Sequence, residues 1–115
     1  LFLQYLQNNG EKVTLEAIAK PDKEFSCHRC ALEVGYEHEQ YVTSLINTIY
    51  EAAYAVKDFR TMQFLDWFVK EQGEEEKNAD DMLKKYDLYG SDPKGLYSLN
   101  SELAARVYTA PSLTL

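Results

Sequence analysis

Glu39 sits where a bland helical core would carry leucine or valine. Leu32, Gly35, Glu39, Val42, Ile46, Ile49, Ala53 and Val56 recur at spacings of three and four, so they share one face of a helix, and that face looks into a core. A carboxylate taken out of water needs a cation, a hydrogen-bond network or a metal ion, because an isolated buried charge costs several kcal/mol or takes up a proton. A second apolar stripe, Met62, Leu65, Val69, Gln72, Ala79, Leu83 and Tyr86, is interrupted by an amide at Gln72, with Glu75 three residues further along the same side. Glu39, Gln72 and Glu75 therefore form a candidate set of oxygen donors, and Glu71 and Glu74 flank it. Carboxylate and amide oxygens suit hard cations, and inward carboxylates on helices are how di-iron and di-manganese bundles build their sites. The run Glu71-Gln72-Gly73-Glu74-Glu75-Glu76, taken alone, is more often a solvated face than a ligand set. Two polar positions interrupting two matched stripes carry more weight than the run.

The elements that must position these residues are helices. Ser26 is a candidate N-cap with Phe25 packing on Cys30, opening a helix over 26–56. Lys57-Asp58 is a tight joint, and Asp58 caps a second helix over 58–87. Each is about 30 residues, roughly 45 Å long, and the short joint makes them an antiparallel hairpin. Asp87 to Gly95 reads as a turn-rich loop, followed by a short helix over 98–107 capped by Ser98 or Asn100. At the other end, Leu1 to Gln7 reads as the last two turns of a helix that stops at Asn8-Asn9-Gly10, with Gly10 as a left-handed cap. Residues 10–25, interrupted by Pro21, read as a long connection of the kind that crosses a bundle from end to end. A chain that starts inside an element is expected to be part of a longer protein. A hairpin cannot enclose its own apolar stripes, so a four-helix bundle is expected, completed by a missing N-terminal part or by a second copy.

With 115 residues, 45% of them hydrophobic, the chain has the composition of one folded domain, and a net charge of -7 argues against nucleic acid and suits cationic ligands. No apolar run has the length of a membrane span and no signal segment opens the chain. Cys27 and Cys30 are too few for a disulfide framework. These features predict a cytoplasmic protein. The Cys27-His28-Arg29-Cys30 spacing at a helix N-terminus can lower the Cys27 thiol pKa. A redox or zinc role calls for a second ligand pair or a thioredoxin-like setting, so the expectation is a packed Cys30 and an exposed, ordinary Cys27. His38 is about 100° around the helix from Glu39 and is expected outside the inward site.

The stretch Tyr36-Glu37-His38-Glu39-Gln40-Tyr41-Val42-Thr43, followed at long helical distance by Phe64-Leu65-Asp66-Trp67-Phe68-Val69-Lys70-Glu71-Gln72-Gly73-Glu74-Glu75-Glu76, resembles the bacterial-type non-haem ferritins. Gly95-Leu96-Tyr97 fits the same family, and the resemblance covers essentially the whole chain as a single domain over 1–115. It implies an all-α, ferritin-like four-helix bundle, a homo-oligomeric 24-subunit shell that stores iron, and ferroxidase oxidation of Fe(II) to Fe(III) at a di-iron centre. By position, Glu39 matches the third-helix ligand and Gln72 the fourth-helix residue of that centre. Glu71, Glu74 and Glu75 match acids of an additional iron site. Haem is assigned neither by the residues nor by the resemblance. Residues 1–9 match only the end of the family's second helix, 26–56 its third, 58–87 its fourth and 98–107 its short fifth. With the first helix and most of the second absent, this chain alone is expected to be inactive while the intact subunit is a ferroxidase. Met62 and Leu65 stand where many animal relatives line an entry channel with acids, so that iron route is not expected here. The competing expectation is a helical assembly module that oligomerises without binding iron.

Overall fold

Four helices and no strands make up the fold in a computed structural model that describes residues 1–115: α1 (Phe2–Asn8), α2 (His28–Ala55), α3 (Phe59–Tyr89) and α4 (Pro93–Ala104). The chain divides into two compact units, residues 25–107 in one and residues 1–24 with 108–115 in the other. No helix is long and apolar enough to cross a membrane.

The larger unit is built on the α2–α3 hairpin. Its cross-helix hydrogen bonds run from Tyr50–Asp66 near the joint, through Thr43–Glu76 and Gln72–Glu39 at mid-helix, to Arg29–Asp87 at the open end, as an antiparallel pair requires. The joint itself closes with the amide of Asp58 donating to the Ala53 carbonyl at 2.9 Å and that of Lys57 to the Tyr54 carbonyl at 3.0 Å. These two bonds satisfy the orphan carbonyls at the end of α2 in the pattern of a Schellman turn. The turn needs one left-handed residue, and Lys57 takes it at φ 58° where glycine is the usual choice. Asp58 then caps α3, accepting from the Thr61 amide as expected.

Core packing follows the two stripes only in part. Ile46 and Ala53 of α2 and Phe64, Leu65, Met82 and Leu83 of α3 are buried, Leu65 completely. Ile49, on the stripe of α2, and Val69, on that of α3, stay 43% and 44% exposed. Two packed helices cover only the strip where they touch, so the rest of each apolar face remains open.

Three boundaries differ from expectation. The N-cap of α2 is Cys27, whose sulfur accepts from the Cys30 amide, and Ser26 lies one residue outside. Phe25, expected as a staple, is 54% exposed. The last helix starts five residues before the expected start, because Asp92 caps it onto the Gly95 amide and Pro93 occupies the first turn, where a missing N–H costs nothing. It ends at Ala104 rather than Val107. Gly95 is required there: a Cβ would stand 1.9 Å from the Tyr89 carbonyl oxygen, so the start of α4 lies directly against the end of α3.

In the smaller unit α1 ends as expected. Gly10 has φ 76°, and the amide of Glu11 donates to the Leu6 carbonyl at 2.9 Å. Residues 11–24 carry no regular structure, and Leu15 and Ile18 are almost fully exposed.

Candidate metal centre

Glu39 and Gln72 meet between α2 and α3. Gln72 is 7% exposed; its Nε2 donates to Glu39 Oε2 at 2.7 Å and to the Glu39 backbone carbonyl at 2.9 Å. The register explains both bonds. A helical carbonyl uses one lone pair for its own ladder, and the second is free to take a side-chain amide from the facing helix. The Gln72 amide thus finds two acceptors in an otherwise apolar strip, and no fully buried side-chain nitrogen or oxygen lacks a partner. The ion pairs of the protein are made elsewhere, by Arg29, Lys70, Lys77, Lys84 and Lys85, so Glu39 is held by an amide and by no cation.

Half-buried Glu39 also borders an open groove of about 220 Å³ whose wall includes Gly35, Glu75, Asn78, Met82 and Arg106. Glu75 is exposed but shares this groove, so the structure brings Glu39, Gln72 and Glu75 to one side of the hairpin. Glu71 is half-buried without joining them. Glu74 is exposed, with Lys70 at 4.0 Å. Among all 115 residues, no group of three or more histidine, cysteine or acidic side chains is close enough to hold a metal ion. His38 is exposed against Tyr41, as its position around the helix implied.

Glu76 was not singled out from sequence, and it is part of this cross-helix network. It is half-buried and accepts a 2.6 Å hydrogen bond from Thr43, one turn from the Gln72–Glu39 contact. Its position four residues after Gln72 was the available signal, obscured by three glutamates of similar appearance. Arg106, also not singled out, comes to the groove from beyond the end of α4.

The Cys27–Cys30 expectation is corrected by the structure. The two side chains are joined as a disulfide across one turn, with Cα atoms 5.2 Å apart, and no free cysteine is left. The reading failed because it counted cysteines as a framework, whereas this spacing brings the N-cap and a first-turn side chain within bonding reach whatever the total. Cysteine count therefore gives no support to a reducing compartment.

An antiparallel pair of long helices packed along apolar stripes, with no strands, belongs to the class of all-α helical bundles. Comparison with known proteins makes this specific: the ferritin-like domain family matches residues 1–89, and the chain belongs to that family. It is 36% identical over 99 residues to a probable bacterial non-haem ferritin-like protein of Haemophilus influenzae, covering 86% of this chain and 60% of that protein. It is 37% identical over 95 residues to the bacterial non-haem ferritin of Campylobacter jejuni, covering 83% and 57%. Among solved structures, an engineered closed form of the Archaeoglobus fulgidus ferritin superposes with a TM-score of 0.89 at 39% identity, covering 93% of this chain and 65% of that one. The open-pore ferritin of the same archaeon gives 0.87 at 39%, covering 90% and 64%. The chain thus spans about 60% of the length of the curated relatives it matches.

Proposed function

We propose that this chain is part of an iron-storage subunit in which Glu39 and Gln72 contribute one side of a di-iron ferroxidase centre. The observation that carries the reading is the Gln72–Glu39 contact: a carboxylate on an inward stripe, held by an amide and by no cation. In this reading the amide keeps the carboxylate in place until an Fe(II) ion takes over that role. The donor set fits iron, since two oxygen-bearing side chains face one another from two helices and a further carboxylate, Glu75, borders the same groove. Two facing donors make half a centre. The remaining ligands are expected from helices this chain does not contain, so the chain alone is expected to oxidise little Fe(II).

Iron is here the substrate and the cargo. Each Fe(II) gives up one electron to dioxygen or peroxide, and a carboxylate environment favours the loss because anionic oxygens stabilise Fe(III) more than Fe(II). Glu39 supplies negative charge at the metal, and Gln72 supplies a neutral oxygen after its hydrogen bonds to Glu39 open. Glu71, Glu74 and Glu75, which form no ligand cluster within this chain, are proposed to contribute to an adjoining acidic site that takes further iron. Assembly into a 24-subunit shell and a cytoplasmic location complete the reading, supported by ferritin as the name of its relatives.

Aerobic addition of Fe(II) to the intact subunit, with ferric absorbance and particle mass followed together, tests it. Rapid ferric absorbance in a particle of shell size, with a large loss of rate in Glu39→Ala, is the expected result. Equal rates and iron stoichiometry in parent and variant would remove Glu39 from the site. A second reading, a helical assembly module that binds no iron, is favoured by one observation: no cluster of three ligating side chains exists within this chain. A stable oligomer inert to Fe(II) would establish it.

A further inference from the structure

We propose that Cys27 and Cys30 are a reversible dithiol–disulfide pair, with Cys27 as the attacking thiolate and Cys30 as the resolving thiol, exchanging two electrons with peroxides and small thiols. Three observations carry this. The pair is bonded across a Cys-x-x-Cys turn at the start of a 28-residue helix. Its two sulfurs are placed differently: Cys27 is exposed at the N-cap with extended backbone (φ -155°, ψ 160°), while Cys30 is half-buried inside the first turn. Each sulfur also has a polar neighbour suited to its role. The Cys30 amide donates to Cys27 Sγ at 3.1 Å, and Ser26 Oγ lies 3.6 Å from Cys30 Sγ.

In the reduced state the same amide, together with the unpaired N–H groups of the first turn, faces a thiolate at Cys27. That is the setting in which negative charge on sulfur is stabilised. No acidic residue in the first turn of α2 opposes it. A purely structural bridge would be poorly placed. It closes a four-residue loop that the helix's own hydrogen bonds already fix, so it restrains the unfolded chain far less than a bridge between distant segments.

The chemistry balances as follows. The Cys27 thiolate attacks one oxygen of hydrogen peroxide, breaking the O–O bond, and sulfur becomes a sulfenic acid as hydroxide leaves. The Cys30 thiol then attacks Cys27 sulfur, forming the S–S bond and expelling water. Two thiols and one peroxide give one disulfide and two waters, with two electrons passing from sulfur to oxygen. Reduction runs by exchange. A glutathione thiolate attacks the bridge, releasing one cysteine thiol, and a second glutathione completes the return of two thiols with glutathione disulfide as product.

Folded protein equilibrated in glutathione buffers of graded redox ratio, alkylated with iodoacetamide and weighed by mass spectrometry, tests the pair. A single transition between no label and two labels within that series is expected, with the helical circular dichroism unchanged. In the reduced protein Cys27 is expected to be alkylated at least about 10-fold faster than Cys30. In Cys30→Ser, oxidised glutathione should leave one glutathionyl group on Cys27 as a mixed disulfide, releasing the other as the free thiol, whereas Cys27→Ser should carry little. The proposal is overturned if the bridge survives excess reduced glutathione until the chain is unfolded, if hydrogen peroxide leaves both thiols unpaired, or if the two cysteines alkylate at equal rates. None of these readouts involves iron, so the redox pair and the iron reading succeed or fail separately.

Discussion

At the scale of single residues, the Gln72–Glu39 contact determines how the site should respond to substitution. Gln72→Leu removes a buried donor and leaves Glu39 Oε2 facing an apolar side chain from the opposite helix, so apo stability is expected to fall by about 1–3 kcal/mol in denaturant unfolding. Glu39→Ala is the milder change. The Gln72 amide keeps its 2.9 Å bond to the Glu39 backbone carbonyl, which survives any substitution there, and apo stability should move by less than about 1 kcal/mol. A large loss of apo stability in Glu39→Ala would mean that the carboxylate holds the hairpin together rather than awaiting a cation. The inward placement of Glu39 and Gln72 was legible in the sequence because each interrupts an apolar stripe of helical period. Which glutamate of the 71–76 run turns inward was not legible, since six consecutive helical residues visit every direction and only the facing helix selects among them. It selected Glu76, through Thr43.

At the scale of elements, the hairpin is fastened by its joint and by one ion pair, Arg29–Asp87, at its open end. Lys57 holds the left-handed position of the Schellman turn at a steric cost that glycine does not incur, so Lys57→Gly is expected to raise stability by about 1 kcal/mol, read as an upward shift in thermal midpoint. Gly95→Ala goes the other way. Its Cβ would strike the Tyr89 carbonyl, parting α4 from α3, and a loss of roughly 1–3 kcal/mol is expected. Two aspartates make the same hairpin acid-sensitive. Hydrogen bonds from Arg29, reinforced by its charge, hold Asp87 below the ordinary carboxylate range, and hydrogen bonds from the Thr61 hydroxyl and amide do the same for Asp58. A lowered folded value favours the ionised form in the native state. The stabilisation is therefore fully present above the unfolded value near about 4 and is lost as pH falls through the lowered folded values. Asp58→Ala and Asp87→Ala should melt below the parent at pH 7, with the gap closing on acidification below about pH 4. A gap independent of pH would show that neither carboxylate acts through its charge.

At the scale of the whole molecule, the apolar faces left open on the hairpin imply more protein around it. Leu45, Ile49 and Val69 are 43–44% exposed, too apolar a strip for helices of this length to leave in water. Under the proposed assembly Ile49 becomes buried, and Ile49→Asp is expected to lower particle mass sharply in light scattering while leaving hairpin helicity intact. An unchanged mass would place Ile49 on an outer surface.

The sequence by itself determined the helices, the antiparallel hairpin and the family, because three-and-four periodicity, an Asp cap and a left-handed glycine are local signals that a chain carries wherever it packs. It also determined that polar groups interrupt the inner face. The tertiary structure decided that Gln72 reaches across to Glu39, that Thr43 singles out Glu76, that Gly95 must lack a side chain, and that the last helix begins at Pro93. The first three depend on the distance and register between helices, which no stretch of sequence records. The last was within reach of the sequence, where Asp92-Pro93 at a helix start has a reading of its own, obscured by the glycines on either side of it.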